Sequence, residues 1–168
     1  MTKNRQTKAV PVAALAGNPN VGKSTIFNAL TGMRQHTGNW PGKTVSLAQG
    51  VCMYKGEEIR LVDLPGTYAL VSKSQEETLA AGFISGGEAD CVIAVCDATS
   101  LERSLILALQ VMELTDRVIV CVNLMDEAQK QGIEIDLAAL SFELGVPVVA
   151  ASASREEGMG ELLEQLRR

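Results

Sequence analysis

Gly17-Asn18-Pro19-Asn20-Val21-Gly22-Lys23-Ser24 spells G-x-x-x-x-G-K-S, and its flanks decide what kind of fold can carry it. The apolar run from Val10 to Ala16 before it reads as a buried strand. Thr25 to Leu30 after it reads as the opening turns of a helix. A glycine loop between strand and helix wraps phosphate, because its backbone N–H groups and the helix N-terminus point at the anion. Lys23 is placed to reach the outer phosphates and Ser24 to set its hydroxyl on Mg²⁺. Gly17, Asn18, Pro19, Asn20, Val21, Gly22, Lys23, Ser24 and Thr25 are therefore the candidate phosphate-binding residues. A purely structural Gly-rich turn gives no reason for Lys and Ser to follow the second glycine.

The rest of the chain repeats the strand-then-helix theme. Ile59 to Val62 ends at Asp63, Cys91 to Cys96 at Asp97, Val118 to Val122 at Asn123, and Val146 to Ala150 near Ser152. These near-continuous β-branched runs predict parallel strands buried on both faces. Val45 to Met53 alternates less cleanly and reads as an edge strand, joined to the next through Lys55-Gly56-Glu57. Helices are predicted over Ser74 to Ile84, where Ser74 and Glu77 have capping-box spacing, and over Ser100 to Leu114, with Leu101, Leu105, Leu109 and Met112 on one side. Two more follow, Asp136 to Leu144 stopped by Gly145, and Met159 to Leu166 carrying Leu162, Leu163 and Leu166. Met33 to Lys43 fits neither period and reads as a long polar loop beside the phosphate loop, a common place for function. The expected architecture is a single α/β domain over residues 1–168: three layers, a mostly parallel six- or seven-stranded sheet, helices on both faces. In such sheets ligands bind beyond the carboxyl ends of the strands. Asp63, Asn123 and Ser152 all fall on that edge, with the phosphate loop.

Composition closes other routes. At 46% hydrophobic and 21% charged residues the chain is globular rather than disordered. A net charge of -5 argues against a nucleic-acid surface. No apolar run approaches the ~18–20 residues that span a bilayer. Lys3, Arg5 and Lys8 before an apolar stretch imitate a signal peptide, but that stretch is needed as the strand of the phosphate loop. Cys52, Cys91, Cys96 and Cys121 form no C-x-x-C, and three lie inside strand-like runs, so reduced thiols and a cytoplasmic location are expected.

Asp63-Leu64-Pro65-Gly66 is D-x-x-G at a strand end. Asp63 can hold Mg²⁺ through a water, and Gly66 lets its N–H approach a γ-phosphate; alone, the tetrapeptide is also an ordinary turn. Asn123-Leu124-Met125-Asp126 is N-x-x-D. The Asp126 carboxylate can accept two hydrogen bonds from guanine N1–H and the exocyclic amine, a donor pair that adenine lacks. Asp126 as a plain helix N-cap is the competing reading. Asn123 would brace its loop and touch the base. Ser152-Ala153-Ser154 can offer a backbone N–H to guanine O6.

Taken in order, these motifs resemble those of translation-factor-type GTPases with the P-loop GTPase fold, over nearly the whole chain. A narrower likeness rests on Gly-Asn-Pro-Asn-Val-Gly-Lys-Ser, on Gly38-Asn39-Trp40-Pro41-Gly42-Lys43-Thr44-Val45, and on Asp63-Leu64-Pro65-Gly66-Thr67-Tyr68-Ala69-Leu70. Asp97 to Arg103 and Leu144 to Val148 add to it. The chain resembles the N-terminal cytosolic G domain of the ferrous iron transport protein B (FeoB) family. The resemblance implies GTP and GDP as ligands, and Mg²⁺ held by Ser24, Thr44 and Asp63. It also implies K⁺-stimulated hydrolysis, the ion held by Asn20 and the backbone carbonyls of Gly38 and Trp40. Asn20, Lys23, Thr44 and Gly66 then carry the catalytic work. It further implies a helical spacer and a transmembrane iron-permeation domain as partners, placement at the cytoplasmic face of the bacterial inner membrane, and it admits a homo-oligomer.

Two residues depart from the commoner GTPase pattern. Thr67 stands where many small GTPases have a water-orienting Gln, so slow basal hydrolysis is expected. Leu124 replaces the lysine of N-K-x-D, which predicts weaker affinity and quick nucleotide release. His36 reads as an exposed loop histidine and Glu76 and Glu77 as a solvated helix face, though the resemblance makes the two glutamates candidates for organising the switch. Two other classes compete: a GTPase of ribosome or tRNA maturation, which usually has a basic extension, and a non-hydrolysing nucleotide-sensing module, motivated by the missing Gln.

Overall fold

The computed structural model describes residues 10–32, 35–39, 46–71 and 73–168. In chain order the elements are β1 (Val12–Gly17), α1 (Lys23–Thr31), β2 (Gln35–Asn39), β3 (Ser46–Tyr54), β4 (Glu57–Asp63), α2 (Gln75–Ser85), β5 (Cys91–Asp97), α3 (Leu101–Leu114), β6 (Val118–Asn123), α4 (Met125–Lys130), α5 (Leu137–Leu144), β7 (Val148–Ala150) and α6 (Met159–Arg167). The strands form one seven-stranded sheet in the order β2-β3-β4-β1-β5-β6-β7. β2 and β3, and β3 and β4, pair antiparallel; the other pairs are parallel. β1 lies where the chain changes direction across the sheet, since its neighbours are β4 on one side and β5 on the other. The crevice at such a switch point is where open α/β sheets bind ligands, and the phosphate loop leaves β1 there.

The central strands are apolar along their whole length because each face packs on helices. Leu15, Leu61, Ile93 and Cys121 face Ile26, Phe27 and Leu30 of α1 and Leu162 and Leu166 of α6. Ala14, Val62, Val92 and Val120 face the other way, toward Phe83 of α2 and Ala108 and Val111 of α3. All four cysteines are buried and unbridged. Burial pushes the Cys52 and Cys91 thiols up to about 11 and those of Cys96 and Cys121 up to about 12, so they behave as inert apolar groups.

Four expectations need correction or completion. Met33 to Lys43 is not all loop: Gln35–Asn39 forms β2, pairing Gln35 with Gly50 and Gly38 with Leu47. β3 is consequently internal, and β2 holds the edge assigned to Val45–Met53. A polar edge strand is held by backbone pairing and carries little hydrophobic signal. On α3 the buried residues are Ser104, Leu107, Ala108 and Val111, a 3.6-residue stripe. Leu101, Leu105 and Met112 only flank that stripe and Leu109 is 49% exposed. Small Ser104 and Ala108 let the helix approach the sheet, which turns the larger leucines aside. The short α4 lacked the length to show a period.

The capping residues behave as read. Ser74 accepts the N–H of Glu77 at 3.1 Å, and the Glu77 carboxylate accepts the N–H of Lys73, one residue before the cap. Glu77 is thus used by its own helix start.

Phe83 is fully buried and Phe142 is 84% exposed. Phe83→Ala should cost about 3–5 kcal/mol in denaturant unfolding, whereas Phe142→Ala should stay within about 0.5 kcal/mol. Equal effects would contradict this layering.

Candidate functional site

The carboxyl ends of β1, β4, β6 and β7 deliver Gly17, Asp63, Asn123 and Ala150 to one edge of the sheet. The phosphate loop turns from β1 into α1 there. Asn20 takes a left-handed φ of 66°, a conformation that Asn tolerates better than most side chains. Gly22 sits at φ 83°, and a Cβ on it would lie 2.3 Å from the Asn123 amide nitrogen. A side chain is therefore barred there by conformation and by space. Gly66 passes close over Pro19, where an added Cβ would be 3.3 Å from the Pro19 Cα. Asn18, Pro19, Asn20, Gly22, Lys23, Ser24 and Gly66 line a cavity of about 430 Å³.

Lys23, 9% exposed, donates to the Asp63 carboxylate and, at 2.6 Å, to the Leu64 carbonyl. Ser24 and Thr25 are exposed at the start of α1. The Ser24 hydroxyl and the Asp63 carboxylate are hard oxygen donors beside the cavity, a set that suits Mg²⁺ whose remaining ligands are phosphate and water. Among the described residues no three His, Cys, Asp or Glu side chains cluster as a metal site of their own. Gly38 lies in β2; Trp40 and Thr44 fall outside the described residues.

Beyond Asp63 the chain stays fastened to its surroundings. Leu64 N–H donates to Leu15 O at 3.0 Å and Thr67 N–H to Gly17 O at 3.2 Å. Thr67 is 6% exposed. Leu70 N–H donates to the Gln110 side chain at 2.7 Å, and the Arg103 guanidinium lies 4.8 Å from the centre of the Tyr68 ring. Sequence reasoning missed Gln110, which no motif marks, and gave Arg103 no role beyond its place in the Asp97–Arg103 run; the two lie on α3 at i and i+7, outside its apolar stripe.

The other end of the site is built around Asn123, which is 1% exposed. Its amide nitrogen donates to Val21 O at 3.0 Å, and its amide oxygen accepts Ala153 N–H at 3.0 Å. Leu124 takes a left-handed φ of 64° and is the N-cap of α4, which displaces the reading of Asp126 as the cap. Asp126 lies in the first turn instead, where the helix N-terminus favours its charge. Its N–H donates to Ser152 Oγ at 3.1 Å. Its side chain is 9% exposed, its Oδ1 is buried with no hydrogen-bond partner, and its Oδ2 lies 3.5 Å from Arg155 Nε. A cavity of about 320 Å³ opens there, lined by Asp126, Gln129, Ser152 and Arg155 among others. Ser152 and Ala153 are buried and Ser154 is exposed. Since Ala153 N–H is donated to Asn123, an O6 acceptor would share it or take that of Ser154. Arg155, too, was not singled out by sequence.

The two bonds of Asn123 make a direct prediction. Asn123→Ala strands Val21 O and Ala153 N–H in the interior, at about 1–3 kcal/mol for each unpaired group. Denaturant unfolding without nucleotide should show a loss of about 2–6 kcal/mol; an unchanged midpoint would contradict the brace.

A family model described as ferrous iron transport protein B matches residues 11–166. The Fe(2+) transporter FeoB of Salmonella typhimurium is 47% identical over 152 residues, covering 88% of this chain and 20% of the relative. The Escherichia coli (strain K12) protein of the same description is 46% identical with the same coverage. The chain thus spans about a fifth of the length of these relatives. Among solved structures, the G domain of the T. maritima FeoB iron transporter superposes with a TM-score of 0.86 at 46% identity, covering 94% of this chain and 97% of that one. The T. maritima cytosolic domain in its GMPPNP form gives 0.89 at 46% identity, covering 94% and 62%. The FeoB G-domain from Methanococcus jannaschii gives 0.81 at 42% identity, covering 95% and 99%.

Proposed function

The chain belongs to the ferrous iron transport protein B family, and on that footing we propose that it is a guanine-nucleotide switch, binding GTP and hydrolysing it slowly. The observation that carries this reading is Asp126: a carboxylate nine-tenths buried, with one oxygen unpartnered, beside a cavity, on a backbone whose N–H is tied to Ser152 Oγ. Guanine N1–H and its exocyclic amine supply the two donors such a group lacks, and adenine supplies neither. The relatives solved in GDP and GMPPNP forms support the same choice.

The phosphates would lie along Gly17 to Thr25, drawn by backbone N–H groups and by the Lys23 ammonium. Mg²⁺ bound with the nucleotide neutralises charge on the phosphate oxygens; Ser24, Asp63 and Thr44 are the residues that would hold it. In hydrolysis, water attacks the γ-phosphorus as the bridging oxygen departs with GDP, and negative charge gathers on the phosphate oxygens. Gly66 N–H is the backbone donor that would meet the γ-phosphate. Thr67, with its N–H given to Gly17, is a poor substitute for a water-orienting Gln, which fits a slow rate. Asn20, with the carbonyls of Gly38 and Trp40, would hold a K⁺ ion that offsets the developing charge. Its exposed side chain in the phosphate cavity supports that role.

We also assign residues 1–168 to the G domain of a longer transporter, with a helical spacer and a membrane-spanning iron-permeation part as its partners. The coverage of a fifth of the relatives supports this. No helix of the described residues is long and apolar enough to cross a membrane. The domain would act at the cytoplasmic face of the bacterial inner membrane.

Single-turnover GTP hydrolysis in KCl and in NaCl tests the mechanism. The rate should be at least about tenfold higher in KCl, within the range by which a charge placed on the transferring phosphoryl group can act. Asn20→Ala should abolish the difference while GDP still binds. Equal rates in the two salts would overturn the K⁺ assignment.

A further inference from the structure

We propose that Arg155 is a built-in competitor of the base, pairing with the carboxylate that guanine must use and thereby setting how tightly nucleotide is held. The proposal rests on the reading of Asp126 as the guanine-binding residue. Asp126 Oδ2 lies 3.5 Å from Arg155 Nε, while Oδ1 is buried and unpartnered. A carboxylate so deeply placed is costly unless its charge is met. Among the described residues the nearby Lys130 is engaged by Glu127 at 2.8 Å, which leaves Arg155 to meet it.

The geometry suits a displaceable partner rather than a permanent one. The contact is a single one through Nε, without the two parallel bonds that make an Arg–carboxylate pair strong. The Arg155 side chain is 51% exposed, so solvent weakens the pair and leaves room to swing aside. Its backbone, by contrast, is pinned. Arg155 N–H donates to Ser152 O at 2.9 Å, Glu156 follows in a left-handed turn at φ 58°, and Glu157 N–H donates back to Ser152 O at 3.2 Å. A fixed root with a loose end keeps the guanidinium within reach of Asp126. Glu134 and Glu157 line the same cavity and give it anionic neighbours once the base has taken the carboxylate.

The consequence is a weakened hold on the base. Nucleotide binding replaces the Arg155–Asp126 pair, so the free energy of that pair is subtracted from the affinity. An ion pair this exposed is worth a small factor, about two- to fivefold. Leu124, in place of a lysine packed along the base, pushes in the same direction. Both features favour a switch that releases its nucleotide readily.

The test is a double-mutant cycle read by fluorescent N-methylanthraniloyl diphosphates, with dissociation constants and release rates for each variant. Arg155→Ala should bind the GDP derivative about two- to fivefold more tightly. Arg155→Lys, which keeps the charge, should stay near the parent chain. Asp126→Asn removes the carboxylate and exchanges an acceptor for a donor, so it should lose the GDP derivative and accept the xanthosine derivative, whose O2 takes the amide N–H. In that background Arg155→Ala should change xanthosine diphosphate binding by less than the parent effect, because no carboxylate remains to pair. Weaker GDP binding by Arg155→Ala would show that Arg155 holds the base instead and would overturn the proposal. An equal tightening in the Asp126→Asn background would overturn it too, since the effect would then not run through the carboxylate. Retained GDP affinity in Asp126→Asn alone would instead mark the failure of the guanine reading itself.

Discussion

One buried amide organises the site. Asn123 uses its nitrogen on the phosphate loop, at Val21 O, and its oxygen on the loop after β7, at Ala153 N–H. Three segments far apart in the chain are thereby joined at 3.0 Å contacts inside the protein. A carboxylate could not donate to Val21 O, and a hydroxyl could not span both partners, so the side chain must be an amide of this length. The same closeness forbids a side chain at Gly22, whose Cβ would collide with that amide. The loop after β1, the end of β6 and the loop after β7 are thus tied into one unit, and on the proposed reading a nucleotide would lie across a backbone already fixed.

The segment after β4 is held differently. Its ties are the Lys23 bonds to Asp63 and Leu64, the Thr67–Gly17 bond, and the two contacts from α3. Lys23 belongs to both systems, since its ammonium has three donors and serves two oxygens of this segment from a root in the phosphate loop. A phosphate that draws on the same ammonium competes for those bonds. On the proposed reading a γ-phosphate would reach the segment beyond Asp63 through Lys23, whose bonds are separate from those of Asn123.

The sequence was most legible where hydrophobic period and motif coincide. The parallel strands end where their apolar runs meet Asp63 and Asn123 and, at Ala150, just before Ser152, and burial on both faces is what makes those runs continuous. The edge was least legible. Gln35–Asn39 is polar, so its place in the sheet is set by backbone pairing with Ser46–Gly50 and leaves little trace in composition. On α3 the count of leucines pointed to the wrong stripe, because small Ser104 and Ala108 decide which face can approach the sheet. Motifs named the residues that would touch the nucleotide, such as Lys23 and Asp126. They were silent on Gln110, which takes the Leu70 N–H, and on Arg155, which faces Asp126; only the fold brings each to its partner.

On the proposed reading the crevice held by Asn123 selects guanine. Calorimetric titration of the chain with GDP and with ADP, both with Mg²⁺, measures this directly. The site described here predicts GDP binding preferred by about 10⁴-fold or more, as expected when a buried polar group would otherwise go unpaired. Comparable affinities for the two nucleotides would contradict it.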